Sequence, residues 1–243
     1  MILNFFYMEN SNSNKKIKII KLRKIKLNDY QAIINLQIKC SKNLPVWSYA
    51  EFKNIITAFP QGQICIVCEK KIIASSFSVI INYTRYNEIL SFKECIAKRD
   101  GNSFVFNGDT LYCTEVMVDP NCGIELSRRL YDEQKKTVKL YNLKRILVNA
   151  IFSNYSKYQA QMSVKDYITG VIETRIKDPS ITAQFAYGFR LKQVPAGYLD
   201  SEKISGDYST ILEWTNFNHK VSKANDRKSN LHLPTKLNLL VNG

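Results

Sequence analysis

A chain of 243 residues with 45% hydrophobic content holds enough apolar material for one large domain with a core of its own. Its 35 basic and 21 acidic residues leave a net charge of +14, which favours anionic partners: a phosphorylated cofactor, acidic lipid or nucleic acid. No run of about eighteen apolar residues occurs, so no segment qualifies as a membrane-spanning helix and no membrane partner is expected.

Taken in order, the chain begins with MILNFFYMENSNSNKK, a few apolar residues followed by Asn, Ser and Lys. A secretory signal would place its charges first and end on small residues, so residues 1–16 read as a flexible or strand-adding tail of a cytoplasmic protein. Residues 17–24 alternate in strand fashion. Asn28 or Asp29 caps a helix with Ile33, Ile34 and Leu36 on one side, ending near Cys40. Asn43-Leu44-Pro45 makes a turn, and Ser48 caps a second helix. After the Pro60-Gln61-Gly62 turn, QICIVCE and IIASSFSVIINY form an antiparallel hairpin about Lys70-Lys71. Residues 84–109 are polar and irregular, with a short helix near 90–98.

The most informative stretch is 110–144. A strand (110–118) runs into a turn with one glycine, then a helix over about 124–141 whose buried stripe is Leu126, Leu130, Val138 and Tyr141. A helix starting directly after a strand aims its unpaired N–H groups and positive dipole end at the mouth of the sheet, which suits a phosphate. Residues 143–150 form the next strand. Two helices follow, at 163–175 and after the cap Asp178-Pro179, the second stopped by Gly188. Strands at 189–194 and 207–214 close the domain, leaving 217–243 as a C-terminal tail. One β-α-β crossover within a sheet fed by hairpins defines an α/β or α+β domain.

Six cysteines are scattered through apolar stretches, unlike a secreted disulfide scaffold. Cys65 and Cys68 form a C-x-x-C that admits zinc or redox chemistry. In a strand, however, residues three apart face opposite ways, and buried thiols are the better reading, with no metal expected. The lysines are dispersed and no nucleic-acid motif is present, so a solvated basic surface is favoured over nucleic-acid binding.

The segments LQIKCSKNLPVWS, FPQGQICIV, IIASSFSVI, GDTLYCTEVMVDP, SRRLYDEQKK, YNLKRI, MSVKDYI, DPSITAQFAYGF and YSTILEW cover most of residues 20–216. Together they resemble the GCN5-related N-acetyltransferase (GNAT) superfamily, and within it the acetyltransferase-like domain found fused to carbon-nitrogen hydrolases. The resemblance implies a mixed, mostly antiparallel central sheet flanked by helices, occupying residues 17–216. It implies acetyl-CoA or another acyl-CoA as co-substrate and direct acyl transfer to a small amine. Val116, Met117 and Val118 would take the pantetheine arm, with Asn149 on the next strand. Gly123, Ile124, Leu126 and Ser127 would take the pyrophosphate at the helix start, with Arg128 and Arg129 one turn in.

The superfamily's pyrophosphate turn, Arg/Gln-x-x-Gly-x-Gly/Ala, is altered here: Cys122, Glu125 and Ser127 stand at the three defining positions. A carboxylate at Glu125 repels a pyrophosphate unless it turns outward, where it is an ordinary first-turn acid. Glu115 matches a position where the superfamily carries a base, and a strand carboxylate paired with a nearby cation is the alternative reading. The tyrosine that protonates the thiolate is replaced by Gln184, leaving Tyr155, Tyr158 and Tyr187 as candidates, or as amphipathic packing. The resemblance implies that region 151–178, with Tyr155, Tyr158, Asp166, Tyr167 and Glu173, recognises an amine, while ordinary helix-surface charge is the favoured reading of the two acids. The expected partners are thus a small amine and a second copy of the chain. The competing reading is a non-catalytic binding module that partners a carbon-nitrogen hydrolase.

Overall fold

The computed structural model describes residues 3–9, 16–40, 46–83, 108–123, 125–193 and 209–220. The expected turn at 43–45, the irregular segment 84–107 with its short helix, Ile124, and the tail from 221 lie outside these residues.

The described strands are β1 (Leu3–Glu9), β2 (Lys16–Lys24), β3 (Ile64–Cys68), β4 (Lys71–Ile81), β5 (Thr110–Val118), β6 (Arg145–Ile151), β7 (Arg190–Gln193) and β8 (Ser209–Thr215). They form one sheet in the order β1-β2-β3-β4-β5-β6-β8-β7. All pairings are antiparallel except β5 with β6, the two strands joined by the crossover helix. This is the mixed, mostly antiparallel sheet the sequence implies. Within 1–16, residues Leu3–Glu9 lie as an edge strand against β2, the strand-adding form of that tail rather than a flexible one.

The helices are α1 (Tyr30–Cys40), α2 (Tyr49–Ala58), α3 (Glu125–Leu140), α4 (Val164–Ile172) and α5 (Pro179–Ala186). Period-two alternation sends successive strand residues to opposite layers. Phe77, Tyr112, Met117 and Leu147 pack with Ile33, Phe52 and Ile55 of α1 and α2. Leu111, Cys113, Ile146 and Val148 instead meet Val138, Ile168 and Ile181 of α3, α4 and α5. Cys65 and Cys68 follow the same rule and are buried in different clusters. Burial pushes the Cys65 thiol up to about 12, so it is an inert core group.

The helix starts follow their sequence signals. Ser48 Oγ accepts from Glu51 N, and Glu51 Oε2 accepts from Ser48 N, a reciprocal cap. Asp178 Oδ1 accepts from Ser180 N and Ile181 N at the start of α5. Gly188 ends that segment at φ +89°. At the β3–β4 turn, Glu69 and Lys70 both adopt positive φ, 47° and 66°. A two-residue hairpin requires this geometry, but non-glycine residues resist it. Lys70→Gly is therefore expected to stabilise the fold by about 0.5–1 kcal/mol in chemical denaturation, the relief of left-handed strain exceeding the added chain entropy.

Candidate acyl-transfer site

The site is built where β5 and β6 part. Their ladder runs from Thr110↔Arg145 to Cys113↔Val148 and goes no further, while β5 stays paired with β4 as far as Val118. The register slips at the same point: Phe77 faces Glu115 and Ser78 faces Cys113, leaving Thr114 as the extra residue of a bulge. Thr114 Oγ1 fastens the bulge by donating to Phe77 O at 3.1 Å. The bulge re-aims the side chains that follow it, and the parted strands leave a cleft of about 140 Å³. Glu115, Val116, Ser127, Tyr131, Asn149 and Gln184 are among the residues lining it.

The backbone alternation of β5 decides which groups face that gap. Asp119 N donates to Ile73 O, on the β4 side, at 2.8 Å. By alternation, the backbone groups of Met117 also turn toward β4, and those of Val116 and Val118 turn toward the gap. Val118 O accepts from Cys40 Sγ at 3.2 Å. Met117, whose side chain is buried among Phe77 and Ile33, does not open on the cleft. Its expected place in the cofactor set is corrected accordingly.

Glu115 is held from α1. Gln37 Nε2 donates to both Glu115 oxygens at 3.2 Å, and Gln37 Oε1 accepts from Trp47 N at 3.2 Å. The Trp47 contact fixes which end of the amide faces the carboxylate. Desolvation pushes the Glu115 carboxyl up to about 7, against the opposing pull of the Gln37 hydrogen bond. A carboxylate poised there can take up a proton near neutrality. The ion pair offered as its alternative role is absent: among the described residues no cation lies within salt-bridge distance of it.

On the opposite layer, α3 presents Ser127, Tyr131 and Gln134 to the sheet, along with the apolar Leu126, Leu130 and Val138. Gln134 Nε2 donates to Ser76 Oγ and, at 3.2 Å, to Cys113 Sγ. Gln184 Nε2 donates to Tyr131 Oη at 2.9 Å. Tyr131 and Gln37 were not singled out from the sequence. Both sit on the buried stripe of an amphipathic helix, and a polar residue in that stripe was the signal available.

The other tyrosines are placed differently. Tyr155 is buried, its hydroxyl donates to Met162 O at 3.1 Å, and its ring meets Phe152 and Tyr167. Tyr187 lies beside Tyr131, ring centroids 6.1 Å apart, but outside the cleft lining. Tyr158 packs on Tyr167, ring centroids 5.5 Å apart, and none of these three expected phenols lines the cleft. Tyr167 donates to Asp178 Oδ2 at 2.8 Å and is core, while Asp166 and Glu173 are exposed, Asp166 bonded to Ser163 and Glu173 to Arg175.

At the helix start, Cys122 N donates to Asp119 O and Leu126 N to Gly123 O. Leu126 thus spends its N–H within the turn, and its side chain is fully buried. That removes it from the expected phosphate set. Arg128 is exposed and Arg129 half-buried, one turn further on. The Glu125 carboxylate folds back over Gly123, filling the space a Cβ on that glycine would need. It lies on the turn itself rather than pointing away from it.

A mixed sheet parted beside a bulged strand, with a helix N-terminus at the mouth of the gap, is the GNAT fold, and this chain has it. The loading GNATL domain of CurA from Lyngbya majuscula superposes with a TM-score of 0.68 at 20% identity, covering 81% of this chain and 97% of that one. The GphF GNAT-like decarboxylase, in complex with isobutyryl-CoA, gives 0.66 at 18% identity, covering 80% and 98%. In sequence, the chain is 31% identical over 205 residues to the probable hydrolase YhcX of Bacillus subtilis (strain 168), covering 83% of this chain but 40% of that protein. It is 24% identical over 211 residues to the uncharacterized N-acetyltransferase YkwB of the same organism, covering 85% of this chain and 93% of that one. No family model matches the chain. None of the helices in the described residues is long and apolar enough to cross a membrane, and those residues contain no group of three or more His, Cys, Asp or Glu placed to hold a metal.

Proposed function

We propose that this protein is an acyl-CoA-dependent N-acyltransferase that transfers an acyl group, acetyl first among them, directly to a small amine. The observation that carries the reading is Glu115. It is a carboxylate with a raised proton affinity, pinned by Gln37 and Trp47, at the point where β5 and β6 separate. The open edge of β5 suits an amide-bearing pantetheine arm, which would add to Val116 like a short strand. A pyrophosphate would rest at the start of α3, with Gly123, Ser127 and Arg128 as the residues to receive it. The fit is incomplete there, because the Glu125 carboxylate occupies the cradle over Gly123. The bound thioester supplies the activated acyl group. Glu115 receives the proton that the amine loses as it attacks, and no covalent enzyme intermediate is required. The isobutyryl-CoA complex of GphF and the name given to YkwB both support an acyl-CoA reading.

A second reading follows from the altered turn and from YhcX, of which this chain spans 40%. Here the fold serves as a binding or regulatory module for a carbon-nitrogen hydrolase. Calorimetric titration with acetyl-CoA and with CoA separates the two. Micromolar binding, followed by turnover in an amine panel, is the expected result; no heat up to millimolar ligand would leave only the module.

A further inference from the structure

Acyl transfer from a thioester has two proton demands on opposite sides of the carbonyl. The amine must lose a proton, and the departing sulfur must gain one to leave as a free thiol. Glu115 meets the first from the α1 layer. The α5 position where the resemblance places a proton-donating tyrosine holds Gln184, which cannot donate a proton to a thiolate and survive as an amide.

The structure brings a phenol to that amide from another helix. Tyr131, on α3, is 3% exposed, lines the same cleft as Glu115, and receives the Gln184 amide hydrogen on its oxygen at 2.9 Å. An oxygen that accepts from Gln184 keeps its own proton to give, and no acceptor for it occurs among the described residues. Gln184 is 7% exposed, and its Oε1 has no partner among those residues. Turning the amide over would give the phenol an acceptor but leave two buried amide hydrogens unbonded. In either orientation one polar group of the pair remains for whatever occupies the cleft.

We propose that Tyr131 is the acid of the reaction, handing its phenol proton to the departing sulfur, with Gln184 positioning it. The assignment rests on the acyl-transfer reading above. The amine nitrogen bonds to the carbonyl carbon, and the C–S bond breaks with its electron pair on sulfur. Glu115 takes the proton from nitrogen, and the phenol proton goes to sulfur to give the free thiol. The phenolate left behind is held by the Gln184 N–H, as a hydrogen bond to the charged form requires. It regains a proton from solvent, and Glu115 loses its own to solvent, as products leave. Burial raises the phenol above its ordinary value, so Tyr131 is protonated at neutral pH, and the Gln184 N–H, by bonding the phenolate, works against that rise.

The test uses the full-length protein and Tyr131→Phe, which removes one oxygen from a packed ring, with thermal melting to confirm the fold. With acetyl-CoA and the best amine, Tyr131→Phe is expected to lose about a hundredfold or more in kcat. Gln184→Leu, which keeps the phenol but not its support, is expected to fall between the two. A binding comparison reads the same contact without turnover. The wild type is expected to prefer CoA several-fold over desulfo-CoA, a gain of one hydrogen bond, and Tyr131→Phe to lose that preference. Equal kcat in the variant, or an unchanged preference for the sulfur, overturns the assignment while leaving acyl transfer standing. A wild type that binds neither ligand overturns both.

Discussion

Glu115→Gln lowers turnover by about a hundredfold or more while leaving the CoA dissociation constant within about twofold, the expected signature of a lost general base. The substitution keeps the shape that Gln37 and Trp47 hold, so the contacts proposed for the cofactor on Val116 and Ser127 are expected to stay in place. What it removes is the site's ability to take a proton. The pH dependence supplies an independent readout. With its carboxyl raised to about 7, Glu115 is protonated and idle below that pH and ionised above it. The wild-type kcat/KM is expected to climb through pH 7 to a plateau, and the residual rate of Glu115→Gln to lack that limb.

The same carboxyl makes a stability prediction of definite sign. The folded state holds the Glu115 proton more tightly than the unfolded chain, whose carboxyl has the ordinary value of 4.5. Keeping Glu115 ionised in the fold therefore carries a cost that is absent below pH 4.5 and complete above about 7. Glu115→Gln escapes that cost, so its melting temperature should exceed the wild type's at pH 8 and match it at pH 4.5. Coincident stability curves at both pH values, together with unchanged turnover, would return Glu115 to the role of a satisfied strand carboxylate.

Glu125→Gly should tighten CoA about tenfold at moderate salt. Its carboxylate lies over Gly123, where a pyrophosphate at the start of α3 would approach. At about 4 Å each pair of unit charges costs roughly 1 kcal/mol even in water, and a pyrophosphate carries two. The gain should shrink as ionic strength rises and the Debye length falls toward about 3 Å at 1 M. The substitution acts oppositely on the free protein. It deletes a first-turn acid that complements the helix dipole and adds a flexible residue, together a loss of about 1 kcal/mol. Tighter binding in a less stable variant is thus the expected pair of results from titration and denaturation. Unchanged affinity at low salt would mean that the carboxylate swings clear on binding.

Much of the architecture was legible because local chemistry agrees with tertiary demand. Strand 110–118 came out with the bounds observed, and Ser48, Asp178 and Gly188 each marked a helix end for a stated reason. The opposed faces of Cys65 and Cys68 followed from period-two alternation alone. The tyrosines were a different matter. Tyr155, Tyr187 and Tyr131 share the same amphipathic chemistry, and no local pattern separates a phenol that reaches Met162 O from one that reaches Gln184. Motif matching looked to α5, where the superfamily's tyrosine position holds Gln184, whereas the phenol that lines the cleft comes from α3.

By itself, then, the sequence determined the order and ends of most described elements, the mixed sheet with its single crossover, and Glu115 as the residue to watch. The elements and the crossover are consequences of periodicity, caps and turns, each set within a few residues, whereas Glu115 stood out through the resemblance to the superfamily. The tertiary structure decided the rest. The parting of β5 from β6 after Cys113, the bulge at Thr114, the Gln37 amide aimed by Trp47, the Glu125 carboxylate folded onto Gly123, and the meeting of Tyr131 with Gln184 all join atoms from different elements. A desolvated carboxyl and a buried phenol owe their proton affinities to those neighbours, and that environment exists only once the layers have packed.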